Sequence, residues 1–168
     1  LIIGVVIMKK IIYYILIALM IIPISVNAYW DKVDDTSKKV YDYADVLSKS
    51  EENEFQEIAE DFLDKYQMDM VIVTVNRGFN ENEIEAYADD FYDYNGFGYG
   101  NSNDGIIIAI ETFDMENDSY YIAVETTGKA ITNYTEKEID KIFEHLKKNK
   151  YDGIYEMILG FTEDAKTY

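Results

Sequence analysis

The sequence predicts an α/β domain, a three-layer α/β/α sandwich around a small mixed sheet. Three observations predict it. Met70–Val75 and Gly105–Ile110 are short, nearly continuous apolar runs rich in β-branched residues, the pattern of strands buried on both faces. Four stretches, over about 48–66, 80–91, 135–146 and 152–165, place apolar residues at helical spacing. Strands buried on both faces need helices on both faces, and the order helix–strand–helix–strand–strand–helix–helix supplies them.

The chain opens with Leu1–Ile7, and Met8 is the more natural start of translation. From Met8 the pattern is that of a secretory signal: Lys9 and Lys10, the apolar run Ile11–Ile22, Pro23, then Ser25-Val26-Asn27-Ala28 with small or apolar residues before a cut after Ala28. The alternative is an uncleaved N-terminal anchor, although the run is short beside the roughly 20 residues of a spanning helix. Residues 1–28 are thus an upstream extension plus signal peptide or anchor. Tyr29–Lys39 is polar, lacks periodicity and reads as a linker, and the domain spans 40–168.

Val40–Val46 reads as an extended lead-in. The first helix follows over Ser48–Tyr66, where Ser48 and Glu51 have capping-box spacing and Phe55, Ile58, Ala59, Phe62, Leu63 and Tyr66 make one stripe. Asn80 and Glu83 cap a second helix with Ile84, Tyr87, Ala88 and Phe91 inward. Gly96, Gly98 and Gly100 break regularity before the Gly105 strand. Asp114–Asp118 is a turn, and alternation over Tyr120–Glu125 returns a strand as a hairpin. Thr135 and Glu138 cap a third helix carrying Ile139, Ile142, Phe143 and Leu146. Asp152 starts a fourth, with Ile154, Ile158, Phe161 and Ala165 inward. The Met70 and Ile106 strands, joined through a helix, are expected to be parallel, and the Tyr120 strand antiparallel.

Composition narrows the function. There is no cysteine, so the exported domain must hold itself by its core, and neither a lipid-attachment cysteine nor a Cys/His zinc site exists. The net charge is −18, and residues 1–28 contribute two lysines and no acid, leaving −20 on the rest. Nucleic acid is therefore excluded as a partner, because binding it requires cations on the protein. Cations accumulate at such a surface, although solubility alone also explains many acids. A monomer is expected.

The Asn95–Gly105 loop is the most unusual stretch. It follows a helix and enters a strand, the reverse of a phosphate cradle, and it has no Walker lysine. Its end, Asn103-Asp104-Gly105, offers oxygen ligands suited to a hard cation such as calcium, or is a plain Asn-Asp-Gly turn. The EF-hand pattern fails, since the twelfth position counted from Asn101 is Thr112. Asp42 and Asp45 are either further carboxylates or turn residues. Asp89, Asp90 and Asp93 read as the solvated face of the second helix. His145, the one histidine, lies near a helix C-terminus beside lysines, where a cation is favoured, and is not read as catalytic. No catalytic residue is assigned, and any hydrolysis would rest on carboxylates and a metal.

In order and spacing these segments resemble the TPM domain family. The carriers are Val40-Tyr41-Asp42-Tyr43-Ala44-Asp45-Val46-Leu47-Ser48, Met70–Val75, Tyr87-Ala88-Asp89-Asp90-Phe91, the Gly96–Gly105 loop leading into Ile106–Ile110, Thr126-Thr127-Gly128 and Tyr151-Asp152-Gly153. The resemblance implies an α/β/α sandwich outside the cytoplasm. Members include thylakoid-lumen proteins linked to photosystem repair, some with acid phosphatase activity, as well as animal receptor modulators and bacterial exported proteins. It also implies divalent-cation binding, often calcium, with Asp42, Asn103 and Asp104 as candidates here. Asp45 stands where the family usually has glycine, and Asn103-Asp104-Gly105 reverses the frequent Asp-Asn-Gly order. The arginine expected before the third strand is missing from Asn117-Asp118-Ser119, which weighs against a phosphate substrate. The expectation is a calcium-responsive binding or accessory domain outside the cytoplasm that supports the assembly or turnover of envelope or membrane proteins. The alternatives are a metal-dependent acid phosphatase and a metal-free surface interaction module.

Overall fold

The structure is a computed structural model that describes residues 30–114, 119–149 and 153–165. The signal-like segment, the turn at 115–118 and Tyr151-Asp152 lie outside the described residues. Its elements are β1 (Val40–Asp42), α1 (Lys49–Tyr66), β2 (Asp69–Val75), α2 (Glu81–Asn95), a 3-10 turn (Gly100–Ser102), β3 (Gly105–Asp114), β4 (Ser119–Thr127), α3 (Ala130–Asn133), α4 (Glu136–Asn149) and α5 (Gly153–Ala165). Two of the three expected helix starts form capping boxes: the Ser48 side chain accepts from the Glu51 N–H and the Asn80 side chain from the Glu83 N–H, with each glutamate reaching back.

The sheet order is β1-β2-β3-β4, with the first three strands parallel and β4 antiparallel to β3. Alternation along the strands builds two cores. On one face Val40, Ile72, Ile108 and Val124 meet Phe55, Phe62, Ile142 and Phe161 from α1, α4 and α5. On the other, Tyr41, Val73, Ile107 and Ala123 meet Ile84, Tyr87 and Phe91 of α2, closed by Phe97. Every residue of β2 is buried, as its unbroken apolar run requires. The mixed sheet and three layers are thus as the sequence predicts.

Three features differ from the sequence reading. The lead-in is a strand only over Val40–Asp42, and a four-residue helix, α3, follows β4. Residues 30–39 of the stretch read as a linker pack on the domain. Asp31 pairs with Arg77 and accepts from the Tyr87 hydroxyl, the Val33 N–H donates to Asn95, and Lys39 is buried. The two parallel connections also step the same way across the sheet while carrying α1 and α2 on opposite faces. Their hands are therefore opposite, and one departs from the right-handed rule.

Candidate functional site

The parallel strands give the sheet two poles, and the predicted cation ligands divide between them. Asp42 ends β1, in register with Thr74 near the carboxyl end of β2, whereas Asp104 precedes Gly105, which is in register with Asp69 at the start of β2. At the rise of a strand these positions are roughly 17–20 Å apart. The structure therefore does not bring Asp42 and Asp45 together with Asn103 and Asp104; the two pairs lie in separate loops at opposite poles.

At the carboxyl pole Asp42 does turn chemistry. Its Oδ2 accepts from the Leu47 N–H at 2.8 Å, and its Oδ1 accepts from the Val46 N–H and the Thr74 hydroxyl. These bonds fold residues 43–47 back toward the Ser48 cap. Asp45 is exposed and takes a left-handed φ of 55°, a conformation that glycine adopts without cost.

At the amino pole Asp104 pins two loops. Its Oδ1 accepts from the Lys129 N–H at 2.7 Å, and its carbonyl accepts from the N–H groups of Asp69 and Tyr99. Asn103 is exposed with φ 52°. Gly128 closes on this turn, where a Cβ would run into Asp104 Oδ1 and the Ser102 carbonyl. Two oxygens therefore converge there, well short of the six to eight that calcium takes. Among the described residues no group of three or more His, Asp or Glu side chains is arranged to hold a metal ion.

Beside Asp104 lies a buried ion pair that the sequence did not reveal. Lys39 Nζ is 2.8 Å from Asp69 Oδ2, with side chains 9% and 4% exposed. Asp69 Oδ2 also accepts from the Gly98 N–H, which anchors the glycine-rich loop. Gly98 sits at φ +112° against the Asn103 backbone, a place open only to glycine.

The carboxyl pole also holds a cleft of about 230 Å³, lined by Gly78, Phe79, Asn80, Glu111, Phe113, Tyr120 and Tyr121. Phe113 is 68% exposed, and Tyr120 and Tyr121 are each about 40% exposed. Glu111 is buried and spends its carboxylate on the backbone, accepting from the N–H groups of Arg77, Phe79 and Phe113. The cleft therefore presents rings rather than free charge. Its one sequence signal is a glutamate and an exposed phenylalanine ending an apolar strand. Arg77, the only arginine, is committed to Asp31 and lies over the Phe79 and Tyr87 rings.

A third feature runs along the sheet edge. Glu85, Asp89 and Asp93 follow one stripe of α2 at helical spacing beside Glu125 of β4. Burial, then the charges of Asp89 and Glu85, push the Glu125 carboxyl up to about 7. Burial, then Asp93, Asp90 and Glu85, raise Asp89. His145 lies 3.5 Å from Asp164, away from all three features. No described helix is long and apolar enough to cross a membrane.

The TPM domain family model matches residues 40–163. The N-terminal domain of a protein from P. gingivalis shares the fold at a TM-score of 0.59 and 17% identity, covering 80% of this chain and 85% of that one. The N-terminal domain of the cg2496 protein from Corynebacterium glutamicum aligns at a TM-score of 0.48 and 19% identity over 82% of this chain and 85% of that one. No curated protein matches the sequence.

Proposed function

The chain belongs to the TPM domain family, and on that premise we propose that it is a binding or accessory domain outside the cytoplasm, serving envelope or membrane proteins through the aromatic cleft. The observation that carries this reading is the gathering of exposed Phe113, Tyr120 and Tyr121 around one cleft at the carboxyl pole. Open α/β sheets take their ligands at that pole, and clustered exposed apolar surface marks an interaction site. The volume of about 230 Å³ falls below the ~300–1,000 Å³ of small-molecule pockets. The occupant is then one large side chain of a partner. The signal-like segment at 8–28 supports a place outside the cytoplasm.

The test is an NMR titration with N-acetyl-tryptophanamide. It should shift the resonances of Phe113 and Tyr121, and Phe113→Ala should weaken binding about five- to tenfold, the scale of an aromatic anchor. Absence of any shift at the cleft sinks this reading.

A second reading keeps calcium at the glycine-rich loop alone, with Asn103, Asp104 and the Ser102 carbonyl as ligands and water completing the shell. The convergence of two oxygens at Gly128 favours it. Such a site is weak, in the ~10⁻⁴–10⁻³ M range of extracellular modules. Calorimetry should register heat with the wild type and none with Asp104→Ala; equal traces remove calcium from the proposal. The metal-dependent phosphatase has less support, because the sole guanidinium is already paired with Asp31.

A further inference from the structure

We propose that the outer edge of β4 is a strand-addition site for an extended segment of a partner protein carrying lysine or arginine at alternate positions. This rests on the reading of the neighbouring cleft as a partner-binding surface and names the partner's chemistry.

The two edges of the sheet are guarded differently. β1 is three residues long, and shortness is itself a guard against unwanted pairing. β4 is nine residues long, and among the described residues no strand pairs with its outer side. Its sequence, Ser-Tyr-Tyr-Ile-Ala-Val-Glu-Thr-Thr, contains neither the lysine nor the proline that commonly blunts an exposed edge. The one irregularity in its pairing, between Glu111 and Asp114, is confined to the hairpin end. A row of backbone donors and acceptors is thus left open over most of the strand.

Charge selects what pairs there. α2 carries six carboxylates and no cation. Its Asp89 and Asp93 border the same small cavity as Glu125, Thr126 and Thr127 of β4. Glu85 continues that stripe one turn back and presses electrostatically on Glu125. None of Glu85, Asp89, Asp93 and Glu125 has a described cation within 4.0 Å. Spacing fits as well. Side chains four apart on a helix advance ~6 Å, and alternate side chains of a strand advance ~6.6–6.8 Å. Two or three successive basic side chains of an added strand therefore meet successive acids of α2. At the hairpin end the same added strand arrives at Tyr121 and the aromatic cleft. A second copy of this chain is disfavoured as occupant, because it would bring the same acidic stripe and another net −18 against the first.

The experiment uses the chain with a capped nine-residue peptide that alternates lysine and threonine and ends in tryptophan. Binding should protect alternate β4 amides from hydrogen exchange. Methylating one alternate set of peptide backbone amides should abolish binding, and methylating the other set should leave it, since strand pairing uses every second amide on one side. Glu85→Gln/Asp89→Asn/Asp93→Asn should weaken the lysine peptide roughly tenfold, or about 1.4 kcal/mol, and a glutamate-for-lysine peptide should not bind. Equal loss from both methylated sets, or unchanged affinity of the triple variant, overturns the proposal. If N-acetyl-tryptophanamide perturbs the cleft while the lysine peptide leaves β4 untouched, this inference fails and the cleft reading stands; if neither binds, both fail.

Discussion

Replacing Lys39 by methionine should destabilise the domain by ~3–5 kcal/mol, the cost of breaking a buried ion pair from one side. The structure supports a value in that range. The Lys39–Asp69 contact is 2.8 Å, and the two side chains are 9% and 4% exposed, so water cannot replace the ammonium. Lys39 Nζ also donates to the Thr36 carbonyl at 2.7 Å and sits 5.3 Å from the centre of the Phe97 ring. Methionine keeps the unbranched stem and loses the charge. Asp69 is then left with one donor, the Gly98 N–H, because its Oδ1 has no partner already. Urea melts at neutral pH measure the loss through the midpoint at constant slope. Adding Asp69→Asn to Lys39→Met should recover at least ~1 kcal/mol, since the stranded charge disappears while an amide oxygen still accepts from Gly98. A loss below ~1 kcal/mol in the single variant, or further loss in the double, refutes the reasoning.

Phe62→Ala should cost ~3–5 kcal/mol, because the ring is 1% exposed and packs in the core of α1, α4 and α5; a denaturant melt shifted by less than ~1 kcal/mol would take it out of that core. Glu125 should make stability fall as pH rises. Its carboxyl is raised from 4.5 to about 7 in the fold, so between those values the folded chain holds a proton that the unfolded chain has released, and the contribution is lost by about pH 7. Glu125→Gln, facing Glu85, Asp89 and Asp93 from α2, should match the wild type near pH 4.5 and exceed it at pH 8 by on the order of 1–2 kcal/mol after solvent screening. Thermal melts in chelator showing a constant gap across that window would contradict this.

The layers were legible because their signals are local and redundant. Ser48/Glu51 and Asn80/Glu83 mark helix starts by spacing alone, and the β2 run can only be a strand covered twice. The sides taken by α1 and α2 were not legible, since apolar periodicity says that a helix packs without saying on which face. That the candidate cation ligands divide between two poles was not legible for a related reason. With Val40–Val46 read as a lead-in, β1 had no direction, so nothing showed that Asp42 ends one parallel strand while Asp104 begins another. The Lys39–Asp69 pair escaped notice because 30 positions separate its members and each is an ordinary charged residue at the margin of an element. The aromatic cleft escaped because its rings come from three different segments.

Glu111 has a consequence for how such a domain diversifies. The loop after β2 and the end of β3 are held by one carboxylate that grips backbone N–H groups and ignores the side chains attached to them. Residue 113, whose ring is 68% exposed, can therefore change identity without disturbing the frame that presents it, whereas Phe79 also packs on Tyr87 and the core behind it. A lineage can retune what its cleft prefers by exchanging the ring at 113, provided the glutamate stays, and partner choice becomes separable from folding.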